Sequence, residues 1–259
     1  MSTRVRDALL DVAIVAVIVV HVGAFFVLRE RQHRFDDEVR EIAAWMESDG
    51  LERLAWPAGH REAVPSLLGD GLTPVLVDPD VAPQDLAVND TSVLVTSGAP
   101  PDRLAGVLTD ELDVGSLTAH RVDLERAASI PLEPGESVGE QISRPYVYAP
   151  LRDSLIIGPG ESFSRTLQLA PGRYVLSAEL FDPTETSAAR LAVTTPLGAI
   201  ARETMRLRPV VHEPTTLGFV VEGARSRPVT VAVVRQGPAG EPDTVLMHAW
   251  QVQRRETTG

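Results

Sequence analysis

Gly135-Glu-Ser137-Val-Gly139 is a formal G-x-S-x-G. A nucleophilic serine of that kind stands on a strained turn between a buried strand and a helix, where its hydroxyl meets a histidine. Leu132-Glu-Pro134 precedes it here and is no buried strand, and the same Pro-Gly-Glu-Ser string recurs at Pro159–Ser162. Two copies of one string read as turn chemistry, in which Pro and Gly set the bend and Ser closes it. Asp78-Pro-Asp80 imitates the D-x-D that holds a metal and a sugar-nucleotide diphosphate. A metal clamp needs carboxylates converging on one ion, and the intervening proline favours a turn. Thr96-Ser-Gly98 follows an apolar run, where open α/β sheets place anionic ligands, yet neither G-x-G-x-x-G nor a Walker sequence is present. The six histidines (21, 33, 60, 120, 212 and 248) show no zinc-binding spacing, and Asn89-Asp-Thr91 is a glycosylation sequon. The sequence is therefore read as non-enzymatic, with no catalytic set, metal or cofactor expected.

Aromatic side chains are the remaining chemistry. Saccharide-binding surfaces use Tyr and Trp faces against the apolar C–H face of a pyranose. Tyr146, Tyr148 and Trp250 are the candidates for a glycan site. Tyr146 and Tyr148 stand beside Pro145 and Pro150, which favours exposure. Trp250 alternates with His248 and Val252; one strand does not decide which face is core, and core packing is the favoured reading of Trp250 over a ligand-facing one.

Composition limits the partners. All 24 basic residues are Arg, in keeping with the coding bias of a GC-rich bacterium, and the formal charge is −12. Residues 1–34 hold five Arg against Asp7, Asp11 and Glu30, so the rest of the chain carries −14. Such a surface repels a phosphate backbone, so nucleic acid is not an expected partner. Without Cys there is no disulfide framework and no thiol nucleophile.

These residues need elements to position them. Ala8–Leu28 is a run of 21 residues broken only by Asp11 and His21. At about 1.5 Å per residue it spans about 31 Å, the thickness of a bilayer's hydrocarbon core. It ends in Phe-Phe-Val-Leu and Arg29-Glu-Arg31 without a small-x-small cleavage site, so an uncleaved transmembrane helix is expected. Arginines flank both sides. They lean the soluble part toward the cytoplasm, and the character of the C-terminal half pulls it outside, the placement expected here. Phe35, Val39, Ile42 and Met46 then fall at spacings of 4, 3 and 4, one apolar stripe of a stalk helix running to about Leu54. That stripe, packed on the first domain, together with His21 supplies candidate contacts for a partner helix.

From 57 to 130 the chain alternates in α/β fashion. Leu72–Asp78, Thr91–Thr96 and Leu117–Leu124 read as strands, and Pro100–Leu112 as a helix opened by proline. Pro and Gly then punctuate β-type runs at 154–158, 163–169, 173–181, 190–194, 199–207, 216–222, 229–235 and 245–252. The fold class is α+β multidomain. An N-terminal flank (1–7), transmembrane helix (8–28) and helical stalk (29–56) lead to a small α/β domain (57–130). An antiparallel, jelly-roll-like β-sandwich (131–255) and a tail (256–259) complete it.

Gly160-Glu-Ser-Phe-Ser-Arg-Thr-Leu-Gln-Leu-Ala-Pro-Gly-Arg-Tyr-Val-Leu-Ser-Ala-Glu-Leu180 carries a resemblance. Its strand, Leu-x-Pro-Gly-x-Tyr, strand phrase resembles carbohydrate-binding-module-type sandwiches and is similar to the soluble tails of bacterial membrane glycosyltransferases. The multi-helix membrane bundle that carries those enzymes' catalytic site is absent from this sequence, so the resemblance implies an accessory or recognition role.

The functional expectation is a non-enzymatic, single-pass envelope protein, integral to the cell membrane. Its sandwich recognises glycan or a protein partner outside the cytoplasm, as an accessory to polysaccharide or envelope synthesis. The alternatives are a structural or assembly subunit acting through the transmembrane and stalk helix, and a membrane-tethered hydrolase using Ser137.

Overall fold

The computed structural model describes residues 3–57, 68, 72–77, 81–141, 155–158, 161–181, 188–207, 214–236 and 245–256. Helix α1, Thr3–Ser48, is one unbroken element of 46 residues, about 69 Å long at 1.5 Å per residue. Among the described residues no helix is long and apolar enough to cross a membrane. The expected span, Ala8–Leu28, lies within α1, and most of its side chains, His21 included, fall outside the description. Phe25, Val27 and Leu28 are described and exposed.

The stalk helix is shorter than the sequence pattern suggests, stopping at Ser48 although the pattern reads as helical to about Leu54. Gly50 adopts φ 66°, its N–H donates to Glu47 O, and Leu51 N–H donates to Met46 O. This pair of bonds is a Schellman cap, which satisfies the last carbonyls and turns the chain out of the helix. Leu54 and Trp56 instead belong to a strand.

That strand, β1 (Arg53–Pro57), lies in a five-stranded sheet with β2 (Thr73–Val77), β3 (Val93–Thr96), β4 (Leu108–Asp113) and β5 (Thr118–Val122), in the order β2-β1-β3-β5-β4. β1 runs parallel to β2 and β3, and β5 is antiparallel to both β3 and β4. Both faces are covered, as the parallel part of a sheet requires. Val39, Ile42 and Met46 of α1 pack on one face against Leu54, Trp56, Val93 and Val95. Leu86 of α2 (Pro83–Val88) and Ala127 of α3 (Leu124–Ser129) pack on the other face with Ala55 and Leu94.

The helix expected over Pro100–Leu112 is a 3-10 turn at Asp102–Leu104 followed by β4. Leu104, Val107 and Leu108 imitate helical spacing, but the chain from Leu108 pairs with β5 through a register shift before Glu111. Tertiary pairing overrides the local pattern here, helped by Gly106 and by the β-branched Thr109.

The C-terminal half is a sandwich of two antiparallel sheets. One has the order β11-β10-β13-β8, and the other β12-β9-β14-β6 with β7 paired to β14. Their ranges are β6 Ser137–Gln141, β7 Leu155–Ile157, β8 Ser162–Leu169, β9 Gly172–Phe181, β10 Ala188–Thr195, β11 Gly198–Arg206, β12 Thr215–Val221, β13 Arg227–Gln236 and β14 Val245–Arg254. All eight β-type runs read from the sequence are strands. β6 is an addition, lying where the sequence reads as a linker. Period-2 alternation sends Tyr174, Leu176, Ala178 and Leu180 of β9 inward to meet Leu191, Val193, Val231 and Val233 from the facing sheet. Each buried Leu or Val among them contributes about 1.5–3 kcal/mol.

The Leu-x-Pro-Gly-x-Tyr phrase has a local explanation. Tyr174 donates its hydroxyl to Ala170 O at 2.8 Å, closing the β8–β9 turn, while its ring stacks on Phe219 with centroids 5.4 Å apart. Burial pushes the Tyr174 hydroxyl pKa above its ordinary range, keeping the donor protonated.

Helix α2 joins the two halves. Gln84 Nε2 donates to Ile130 O at 2.7 Å, at the end of α3, and to Gln168 O at 2.6 Å in β8. Asp85 Oδ1 accepts from Gly139 N at 2.9 Å, and Asn89 Nδ2 donates to Gly139 O at 2.9 Å. Asp85 and Asn89 thus pair with the free edge of β6, an edge that would otherwise be open to another strand. Gly139 is needed there because a Cβ would lie 2.3 Å from Trp250 O.

Candidate functional site

The α/β sheet presents one polar cluster. Thr96 Oγ1 donates to Gly98 O at 2.7 Å and lies 3.2 Å from His120 Nε2. With its own proton committed to Gly98, the hydroxyl accepts from His120, which places the imidazole proton on Nε2. Glu111 Oε2 is 3.9 Å from Nδ1, beyond hydrogen-bond reach. Burial lowers the His120 pKa, and Glu111 opposes that shift only in part. A base for the Thr96 hydroxyl would need a free nitrogen toward it, so the cluster fixes the end of β3 and does not activate a nucleophile. The helical turn after Gly98 is only three residues long.

A second polar cluster joins α1 to the sheet. Buried Glu38 accepts from Ser116 N at 3.1 Å and from the Ser116 hydroxyl. The cleft beside it, about 480 Å³, is lined by Arg31, Gln32, Arg34, Phe35, Glu38 and Ser116.

The residues singled out in the sequence fall apart in space. Ser137 opens β6 after a turn in which Gly135 has φ 89°, so the chain runs from turn to strand and makes no nucleophile elbow. Ser162 likewise opens β8. Asp78-Pro-Asp80 lies outside the described residues, as do Tyr146 and Tyr148. Trp250 is 2% exposed, its ring 5.6 Å from Phe163 between the sheets. It fills the core and offers no stacking face to a saccharide. The stripe assigned to a partner helix is occupied by the chain's own sheet: Val39, Ile42 and Met46 are fully buried there, and Phe35 meets Trp56 edge to face at 6.2 Å. Asn89, the sequon asparagine, is buried in the joint with β6. Among the described residues no group of His, Asp and Glu is arranged to hold a metal.

What the sequence reading missed is a surface. The outer face of β11-β10-β13-β8 is fixed by register. Arg190 pairs with Thr204 and Val234, Ala192 with Arg202 and Ala232, and Ala188 with Arg206 and Gln236. Ser162, Ser164 and Thr166 of β8 stand opposite Val234, Ala232 and Thr230, with the Thr166 and Thr230 hydroxyls 2.9 Å apart. The inward partners Leu191, Val231 and Val233 are buried, so this set points out. The face is four strands wide, about 14 Å across at about 4.8 Å per strand gap, with small side chains (Ala188, Ala192, Ala232, Ser162 and Ser164) on three of the four strands. Arg202 and Arg206 line its β11 edge and Arg190 rises from β10 beside them, and none of the three ion-pairs with a carboxylate among the described residues.

No family model matches the chain, and no curated relative matches it. Solved structures overlap about half of it. A TmCBM61 structure in complex with β-1,4-galactotriose is 14% identical over 48% of this chain and 91% of that one, with a TM-score of 0.33. The CBM36-1 domain of a multidomain xylanase from the hindgut metagenome of Trinervitermes trinervoides is 11% identical over 47% and 100%, TM-score 0.33. The EclA C-terminal domain, a sugar-binding protein, is 13% identical over 48% and 81%, TM-score 0.28. TM-scores this low carry no argument about what this chain binds.

Proposed function

We propose that this chain is a non-enzymatic, membrane-tethered recognition protein whose sandwich binds glycan on the outer face of β11-β10-β13-β8. The observation that carries the reading is that face itself: four strands wide, floored by Ala192, Ala232 and Ser164, with Arg190 the one large side chain rising from its two inner strands at the level of Val234 among the described residues. A polysaccharide segment needs such a platform and no deep pocket. Rigid attachment favours the same role. α1 packs on the α/β sheet, and Gln84, Asp85 and Asn89 lock that sheet to the sandwich, so the face is held at a set position relative to the helix.

The tether is the Ala8–Leu28 run. Phe25, Val27 and Leu28 at its C-terminal end are exposed on a helix that continues without a break into the folded part, which suits a bilayer edge. The soluble part lies outside the cytoplasm in this reading, serving envelope polysaccharide. Probing a saccharide array with the full chain in nanodiscs tests it: binding to at least one glycan class is expected, and an array blank at high protein concentration would overturn it.

The same exposed residues support a second reading, an assembly subunit that contacts a membrane partner through α1. Photo-crosslinking from Val27 separates the two. Adducts to lipid alone support the tether, and a protein adduct favours the subunit.

A further inference from the structure

We propose that the glycan taken by this face is acidic, a polysaccharide bearing carboxylates, and that Arg190, Arg202 and Arg206 read its charge. This rests on the recognition reading above and names its ligand class.

Register puts Arg190 between the other two. Its partner on β11 is Thr204, so Arg202 and Arg206 are its two diagonal neighbours, about 7–8 Å away each. Arg190 therefore stands within repelling distance of both Arg202 and Arg206, and no described carboxylate relieves it. Glu203, between Arg202 and Thr204, belongs to the opposite side of β11, since it pairs with inward Leu191. Arg190 Nε is shielded from water and has no hydrogen-bond partner. Along the whole described face the outward residues of β8, β10, β11 and β13 include no Asp or Glu, in a chain of net charge −12. The outer face of the other sheet is mixed, carrying Glu179 and Arg173 together.

The occupant follows from complementarity. A guanidinium is a planar fork of donors that matches a carboxylate with two parallel bonds. The small floor of Ala188, Ala192 and Ala232 lets a flat chain approach while the three arginines meet acids along it. The outward residues include no Phe, Tyr or Trp, so a neutral pyranose finds no ring to stack on, and charge must carry the selectivity. Net acidity elsewhere does not cancel the patch, because at physiological ionic strength charges more than about 8 Å apart are largely screened.

The test uses the full chain in nanodiscs of neutral lipid, with polygalacturonate as acidic probe, a neutral galactan of similar length, and poly(glycerol phosphate). Wild type is expected to bind polygalacturonate at least tenfold tighter than galactan, with affinity falling as salt rises. The triple variant Arg190→Gln/Arg202→Gln/Arg206→Gln is expected to lose at least 100-fold on polygalacturonate. Its unfolding midpoint is expected to be equal to or above wild type, because mutual repulsion is removed. Arg173→Gln on the opposite face should bind as wild type does. Equal binding of galactan, untouched by the triple substitution, would overturn the acidic assignment and leave glycan recognition standing. Preference for poly(glycerol phosphate) with no binding of polygalacturonate would overturn the carboxylate assignment. Binding of no saccharide on this panel or on the array would remove both readings.

Discussion

Replacing Gln84 by Met tests how the two halves are held together. The side chain is 1% exposed, and its amide nitrogen supplies both Ile130 O and Gln168 O. Methionine keeps the length and removes both donors. Each of the two part-buried carbonyls left without a partner costs about 1–3 kcal/mol, about 2–6 kcal/mol together. Against this, Gln84 Oε1 is itself buried without a partner, and removing it returns about 1–2 kcal/mol. Taking the middle of each range, the expected loss is about 2–3 kcal/mol. The three tryptophans allow it to be localised, since Trp45 and Trp56 report on the α1–sheet core and Trp250 on the sandwich. In urea titrations of the full chain labelled with 5-fluorotryptophan, the Trp56 and Trp250 fluorine signals should share one midpoint when Gln84 is present. With Gln84→Met the first midpoint should fall by about 1 M, from an m-value of about 2–3 kcal/mol/M, and the two probes should separate. Coincident midpoints within about 0.2 M of the parent would refute the clamp.

Other substitutions follow from the same contacts. Trp250→Ala should cost about 3–5 kcal/mol of sandwich stability, measured by denaturation, because it empties a core site against Phe163. A folded variant of unchanged stability that merely lost saccharide binding would contradict the core placement. Gly139→Ala should lower the melting temperature by well over 5 °C, since its Cβ would sit 2.3 Å from Trp250 O and push β6 off Asp85 and Asn89. His120 imposes a pH dependence. Its folded pKa lies below the ordinary 6.5, so below about pH 6.5 the unfolded chain binds a proton that the folded chain refuses. Stability from this residue is full above that pH and declines as pH falls toward the folded pKa. His120→Asn should flatten the difference in urea midpoint between pH 7.5 and 5.5, and an undiminished difference would assign it elsewhere.

Legibility followed how local each signal was. The Phe35–Met46 stripe and the alternation of Tyr174 to Leu180 record one-sided burial, so their periods survive in the sequence and their elements are readable. Leu54-Ala-Trp56 is buried on both sides of a short strand and reads as a continuation of the helix before it. The punctuation that separates them, Asp49-Gly50, is visible only once Gly50 is recognised as a cap. Leu104, Val107 and Leu108 carry a helical period that pairing with β5 overrules. Gln84, Asp85 and Asn89 act across 46 to 84 residues, beyond any local pattern. Among the candidate site residues, Trp250 and the stalk stripe were conspicuous because they are large and apolar, which is also why the core claimed them. The arginine face was hidden for the opposite reason. Arg190, Arg202 and Arg206 look like ordinary solvated charge until the register shift between Val193 and Thr194, just before the turn, moves the β10–β11 pairing by one residue and puts all three on the outer face.

The central claim, recognition on the outer face of β11-β10-β13-β8, is tested most directly by blocking that face without altering its charge. Saccharide affinity of the full chain should be compared between Ala232→Trp, which raises an indole from the middle of the floor, and Gln251→Trp, which does the same on the exposed face of the other sheet. The expected result is that Ala232→Trp abolishes binding while Gln251→Trp leaves it within twofold of wild type. Binding that survives Ala232→Trp, or is lost only with Gln251→Trp, would contradict the account.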